Sequence, residues 1–188
     1  MPTLHYPTDA EIEEKWEPYI YALGEVANSW NHLQEELGHL FVVVGGMDNS
    51  VGFAIWHSTP NDRAQREMLR SLSKTLDHDF ADQHQSAETD IKWLLNRVDA
   101  LATKRNDAIH APCSLALGNG DFELVSLNFF GHPRARNLSG KDIIKEFSWY
   151  QKQADTLAAY ARRLYTVWGS RQGTWPERPA MPSLEQNR

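Results

Sequence analysis

A single cysteine, Cys113, stands among the 188 residues. It excludes an intramolecular disulfide and a structural zinc site built on thiolates, and it suits a reducing compartment. Long apolar runs are missing too. The strongest, LFVVV at residues 40–44, is far shorter than the ~20 residues a bilayer span needs. No glycine period, extended heptad array or biased tract is present, which removes collagen, coiled-coil and low-complexity classes. The opening stretch, MPTLHYPTDAEIEEK, has neither a basic start nor an apolar h-region, so no secretory signal is expected there. These absences point to a soluble, cytoplasmic protein without membrane association.

The chain has enough apolar residues, 41%, to build one core, and its length suits one domain burying about 70% of its unfolded surface. The net charge of −6 is unevenly spread: residues 1–130 hold 9 basic and 20 acidic side chains, and residues 131–188 hold 10 and 5. An acidic body with a basic last third offers an anionic ligand one side only.

Helical spacing dominates. Trp16, Ile20, Leu23, Ala27, Trp30, Leu37, Phe41 and Val44 form one apolar stripe, with Pro18 in the first turn or at a kink and Gly45-Gly46 as the stop. After a loop and a short apolar segment (residues 51–56), Ser58-Thr59-Pro60 reads as a helix start. Ala64, Met68, Leu69, Leu72, Leu76 and Phe80 give that helix its inner face. Ser86 caps a further segment in which Ile91, Leu94, Leu95, Val98, Leu101 and Ala102 share a face, stopped by Pro112. The segments CSLAL and FELVSLNFF then read as a hairpin turning at Asn119-Gly120. A loop, GHPRARNLSG, leads to the clearest helix, with Ile143, Phe147, Tyr150, Ala154, Leu157, Ala161, Leu164 and Trp168 in three-four alternation up to Gly169. The expected fold is all-α: an antiparallel bundle of four to five helices with one small hairpin before the last long helix, the two longest helices covering 16–44 and 143–168. Residues 1–170 form the domain, and 171–188 are an extended or disordered tail.

The informative segment is ATKRNDAIHAP, at residues 102–112. At 100° per residue, Arg105 falls about 20° from Val98, so a permanent cation takes an apolar phase. That placement is costly unless the charge is paired or faces an interface or ligand. Asn106 and His110, four apart, are neighbours on an adjoining face.

The run Arg105-Asn106-Asp107-Ala108-Ile109-His110 resembles the Arg-x(4–6)-His signature of the HEPN superfamily, helical domains found in many prokaryotic RNases and toxins. A polar residue, often Asn, commonly follows that arginine, as Asn106 does here. With this chain's 12 Arg, 10 Asn and 8 His, roughly 0.03 chance matches to Arg-Asn-x-x-x-His are expected. The specific likeness covers only residues 105–110. It implies a homodimer with a composite site lined by both Arg-His sets, cleaving RNA without a metal or other cofactor. In such a site His110 moves a proton at the ribose 2′-OH, Arg105 holds the scissile phosphate, and Asn106 orients the histidine or the phosphate. Lys104, Arg134 and Arg136 are candidate RNA contacts. A toxin or phage-defence role would add a neutralising antitoxin as a further partner. The second function class is a catalytically inactive HEPN-like module that binds RNA, a nucleotide or a protein.

The ordinary reading of the same residues pairs Arg105 with Asp99 or Asp107 and leaves His110 as a helix end. Glu36/His39 and Asp107/His110 share a carboxylate-x-x-His spacing, but one acid is Asp and no further inward Glu completes a di-iron set, so no metal site is assigned. Trp149, Trp175, Phe129 and Phe130 either stack bases or bury in tail docking or a dimer. Cys113 is assigned to packing.

Overall fold

Thr8 starts the first helix. Its backbone N–H donates to the Glu11 carboxylate at 2.8 Å while its hydroxyl accepts from the Glu11 N–H at 3.4 Å, a reciprocal cap. The computed structural model describes residues 7–76, 84–118, 121–128 and 131–184. In chain order these form α1 (Asp9–Val44), α2 (Asn49–Ser58), α3 (Asp62–Leu72) with a 3-10 turn (Ser73–Thr75), α4 (Ala87–His110), β1 (Cys113–Gly118), β2 (Asp121–Ser126), α5 (Pro133–Leu138) and α6 (Ile143–Ser170). The chain is thus mostly helical, with a two-stranded antiparallel hairpin just before the last long helix.

Several local expectations shift. Because of the Thr8 cap, α1 begins seven residues before Trp16, and Pro18 lies inside it on the exposed side. The α1 stripe is also rotated: Tyr19, Ala22, Val26, Trp30, Leu33, Leu37 and Leu40 are buried, whereas Ile20 is 62% exposed. Residues 58–60 end α2 rather than start α3. Asn61, not Ser58, is the cap, its side chain accepting from the Ala64 N–H at 2.9 Å. On α3 Leu69 is buried, Phe80 lies outside the described residues, and so do positions 119–120 and 129–130. The loop before the last helix contains α5, with Pro133 at its first turn and the His132 ring capping Ala135. Helix α6 passes through Gly169 to Ser170, and all eight residues of its expected stripe are buried.

The long helices α1, α2, α3, α4 and α6 alternate in direction. An odd number of passes therefore brings α1 and α6 side by side and parallel. Their partners keep a constant separation of 126 residues: Gln151 donates to Glu25 at 2.9 Å, and Arg162 binds Glu36. The His39 and Tyr165 rings lie 5.4 Å apart, and Gly169 comes against Val43, leaving a Cβ at position 169 only 3.2 Å from it. Helix α4 packs antiparallel to α6, with Trp93 edge-on to Tyr160. Between them the core is closed by Leu33, Leu37, Leu94, Leu95, Phe147 and Leu157, each fully buried and worth roughly 1.5–3 kcal/mol. Residues 171–184 carry no helix or strand and run back along the α4–α6 seam. Trp175 donates to Asp90 at 2.8 Å, Arg178 pairs with the same carboxylate, and Trp149 and Gln153 both donate to the Pro182 carbonyl.

Burial works against ionisation of Glu36, but Arg162, with Tyr165 and His32, holds its carboxyl below the ordinary 4.5. A depressed carboxylate stabilises the fold above its unfolded value, and that contribution is lost as pH falls through the folded value. Arg162→Ala is expected to lower the unfolding temperature by a few degrees at neutral pH. The gap should close as pH drops below 4.5. Thermal melts across that range measure it, and a gap independent of pH would show that the pair contributes packing only.

Candidate functional site at the end of helix α4

The buried face of α4 runs Ile91, Leu94, Leu95, Val98, Leu101, and Arg105 continues it. The arginine is half-buried rather than turned to water. Its guanidinium lies 5.6 Å from the centre of the Trp30 ring on α1. Nη1 donates to Asn106 Oδ1 at 3.1 Å, and Nε is buried without a hydrogen-bond partner among the described residues.

The other arginines that are at least partly buried are differently served. Arg66 Nε donates to Asp99 Oδ1 at 2.7 Å, and Arg70 Nη2 donates to Asp99 Oδ2 at 2.8 Å. Arg134 Nη1 stands 3.6 Å from Asp107 Oδ1. Asp99 is therefore taken by two residues of α3. Asp107, which is buried, is taken by Arg134 and by Asn137, which donates at 2.8 Å. The ordinary pairing of Arg105 with Asp99 or Asp107 is not formed. Among the described residues Arg105 is the one partly buried arginine without a carboxylate.

Trp30 is the residue that sequence reasoning missed as part of this site, since nothing local links position 30 to position 105. Its indole N–H donates to Asp62 Oδ2 at 2.8 Å, and Arg66 lies 5.7 Å from the same ring. One helical turn further, Gln34 is buried with neither amide atom hydrogen-bonded, and Arg66 Nη1 is likewise unsatisfied. Buried orphan polar atoms are few in native folds, and two of those found here, Arg66 Nη1 and Arg105 Nε, belong to guanidiniums lying against the Trp30 ring.

Asn106 is half-buried against the arginine. His110 is the last residue of α4; it is exposed and makes no hydrogen bond or ion pair among the described residues. Arg105 and His110 are five residues apart, so they project about 140° apart around the axis. Lys104 turns to α6, its Nζ 4.8 Å from the Trp149 ring and 5.8 Å from Tyr150. Helix α5 brings Arg134 to the motif, though partly neutralised by Asp107, and leaves Arg136 exposed.

The carboxylate-histidine pairs are not assembled. Glu36 is bound to Arg162, and the His39 ring lies 4.8 Å from Phe53. Among the described residues no group of three or more His, Cys, Asp or Glu could hold a metal ion. Trp149 is engaged by the tail through Pro182, and Trp175, itself in the tail, docks on Asp90 of α4. Burial pushes the Cys113 thiol up, against a lowering hydrogen bond with Tyr19. No described helix is long and apolar enough to cross a membrane. No family model, curated protein or solved structure matches the chain.

An unpaired, half-desolvated guanidinium contributes little to folding. Arg105→Met keeps a side chain on Trp30 and removes the charge, so its unfolding temperature is expected to equal or exceed that of the wild type. Val98→Ala, on the same helical phase, should lose roughly 1–3 kcal/mol. If Arg105→Met destabilises as much as Val98→Ala in denaturant titrations, the charge is structural.

Proposed function

We propose that this chain is a metal-independent RNA endonuclease of toxin or phage-defence type, acting as a homodimer with a composite site of Arg105, Asn106 and His110. The observation that carries the reading is Arg105, a cation on a core phase that no carboxylate neutralises. Such a charge is preset for an anion, and a phosphodiester supplies one.

In the proposed reaction an imidazole removes the proton of a ribose 2′-OH, whose oxygen attacks the adjacent phosphorus. The 5′-oxygen leaves and takes a proton from an acid, leaving a 2′,3′-cyclic phosphate and a 5′-hydroxyl. The guanidinium of Arg105 offsets the charge that gathers on the non-bridging oxygens. Asn106, already bonded to Arg105, holds it in place. Since Arg105 points inward and His110 outward, two copies facing each other set both groups around one phosphorus more readily than one copy does. Arg134 and Arg136 on α5 flank the same helix end and suit contacts to neighbouring phosphates. The contact of Arg105 with Trp30 also fits the second reading, an inactive module in which this residue anchors a phosphate.

The test is cleavage of total RNA in EDTA. Arg105→Ala and His110→Ala should each lose about 10²-fold or more, because charge stabilisation and proton transfer are separately needed. DNA of the same sequence should survive, and sedimentation should show a dimer. Binding of RNA without cutting would favour the inactive module. A monomer that cleaves would remove the composite site.

A further inference from the structure

On the outer face of α1, Ile20 and Tyr21 are 62% and 70% exposed. With Trp16 they line a shallow groove of about 450 Å³ whose remaining walls are Glu13 and Glu17. These positions fall at helical spacings, so they form one stripe. Gly24 continues it by another turn, and a Cβ there would meet nothing within 4 Å. A glycine inside a helix costs about 1 kcal/mol relative to alanine, and no neighbour in this chain requires it. Its effect is to keep the surface low where a backbone from outside would approach. From Glu13 to Gly24 the stripe is about 17 Å long, three helical turns. Glu13 and Glu17 make no ion pair or hydrogen bond among the described residues.

We propose that this stripe docks an amphipathic, lysine- or arginine-rich helix of a protein partner. The apolar residues at helical spacing fit the ridge of a second helix lying in the groove. The charge selects its character. Residues 9–25 hold six carboxylates against one lysine, so a cationic flank neutralises them, whereas a second copy of α1 would set acid against acid. The stripe lies about 120° around α1 from Trp30, counting 100° per residue from Gly24, so it is separate from the Arg105 site. The proposal is independent of RNA cleavage.

Two synthetic peptides of about 18 residues, five helical turns, provide the probe. Both carry leucine at the matching helical spacing, one with lysine and the other with glutamate elsewhere. Calorimetric titration into the full chain should show the lysine peptide binding at least tenfold more tightly than the glutamate peptide. Ile20→Ser combined with Tyr21→Ser should weaken it at least tenfold, and Gly24→Leu should weaken it by obstruction. Glu13→Gln combined with Glu17→Gln should weaken it severalfold and flatten its salt dependence. All these positions are exposed, so thermal melts without loss of stability verify folding, with Gly24→Leu melting slightly higher. No binding at millimolar peptide, equal binding of both peptides, or unchanged binding by the Ile20→Ser/Tyr21→Ser chain would each overturn the proposal. So would a dimer of the chain alone that the same pair of substitutions disperses, since the stripe would then belong to a second copy.

Discussion

The buried carboxylate of Glu36 sets the register of the two longest helices, and the rest of the bundle is laid against them. Parallel helices place their dipoles side by side, a mildly unfavourable arrangement, so apolar burial and specific pairs must hold them together. Arg162 supplies the charge that Glu36 lacks inside. The same 126-residue separation recurs at Glu25 and Gln151, about three helical turns away. Slipping α6 by one residue would rotate its apolar stripe by 100° and break both contacts at once. With α1 and α6 fixed, α4 has one antiparallel groove to occupy, and that groove is what sets Arg105 opposite Trp30.

Around Trp30 the charges balance in number but not in pairing. Arg66 and Arg70 share Asp99, Arg70 also pairs with Glu67 at 3.4 Å, and Asp62 is engaged by the Trp30 indole. The cation left without a carboxylate is Arg105. A flat aromatic ring accommodates guanidiniums because its face is electron-rich, though the attraction is modest, about 0.5–2 kcal/mol. It does not satisfy the buried Nε. A half-buried cation that the neighbouring carboxylates leave unpaired is a reason to look for an anion there rather than for a structural ion pair.

The sequence carried the position of Arg105 but not its surroundings. A phase argument needs only the seven-residue step from Val98 to Arg105, and burial of the α6 stripe, and of the α4 stripe except the half-buried Ala102, followed from the same periodicity. Ile20 misled because an apolar residue on an outward stripe has the same spacing as one on the core stripe, and a long helix offers both. Helix α5 was hidden by its length and by a histidine cap, which lies outside the usual Ser, Thr, Asp and Asn set. Asn61 did give a usable signal, but Pro60 one residue earlier read as a first-turn proline. Trp30, Asp62 and Asp99 were beyond reach, since their contacts with α3 and α4 join residues about thirty or more apart and depend on packing alone.

Helix α1 then has two faces of different electrostatic character. Its outer stripe is acidic and open, while its inner face carries the ring on which an unneutralised cation rests. On the proposed reading, an RNA backbone would be repelled from the first and drawn toward the end of α4, where α5 and the basic last third add Arg134 and Arg136. A cationic helix would meet the reverse gradient. Because the two faces lie on different sides of the same 36-residue helix, the two proposed ligands would not compete for one surface. Occupation of the outer stripe would instead screen the carboxylates nearest to it. Over distances beyond about 8–10 Å that screening is small at physiological salt, so any influence of the partner on the Arg105 site would have to pass through the packing of α1 rather than through charge.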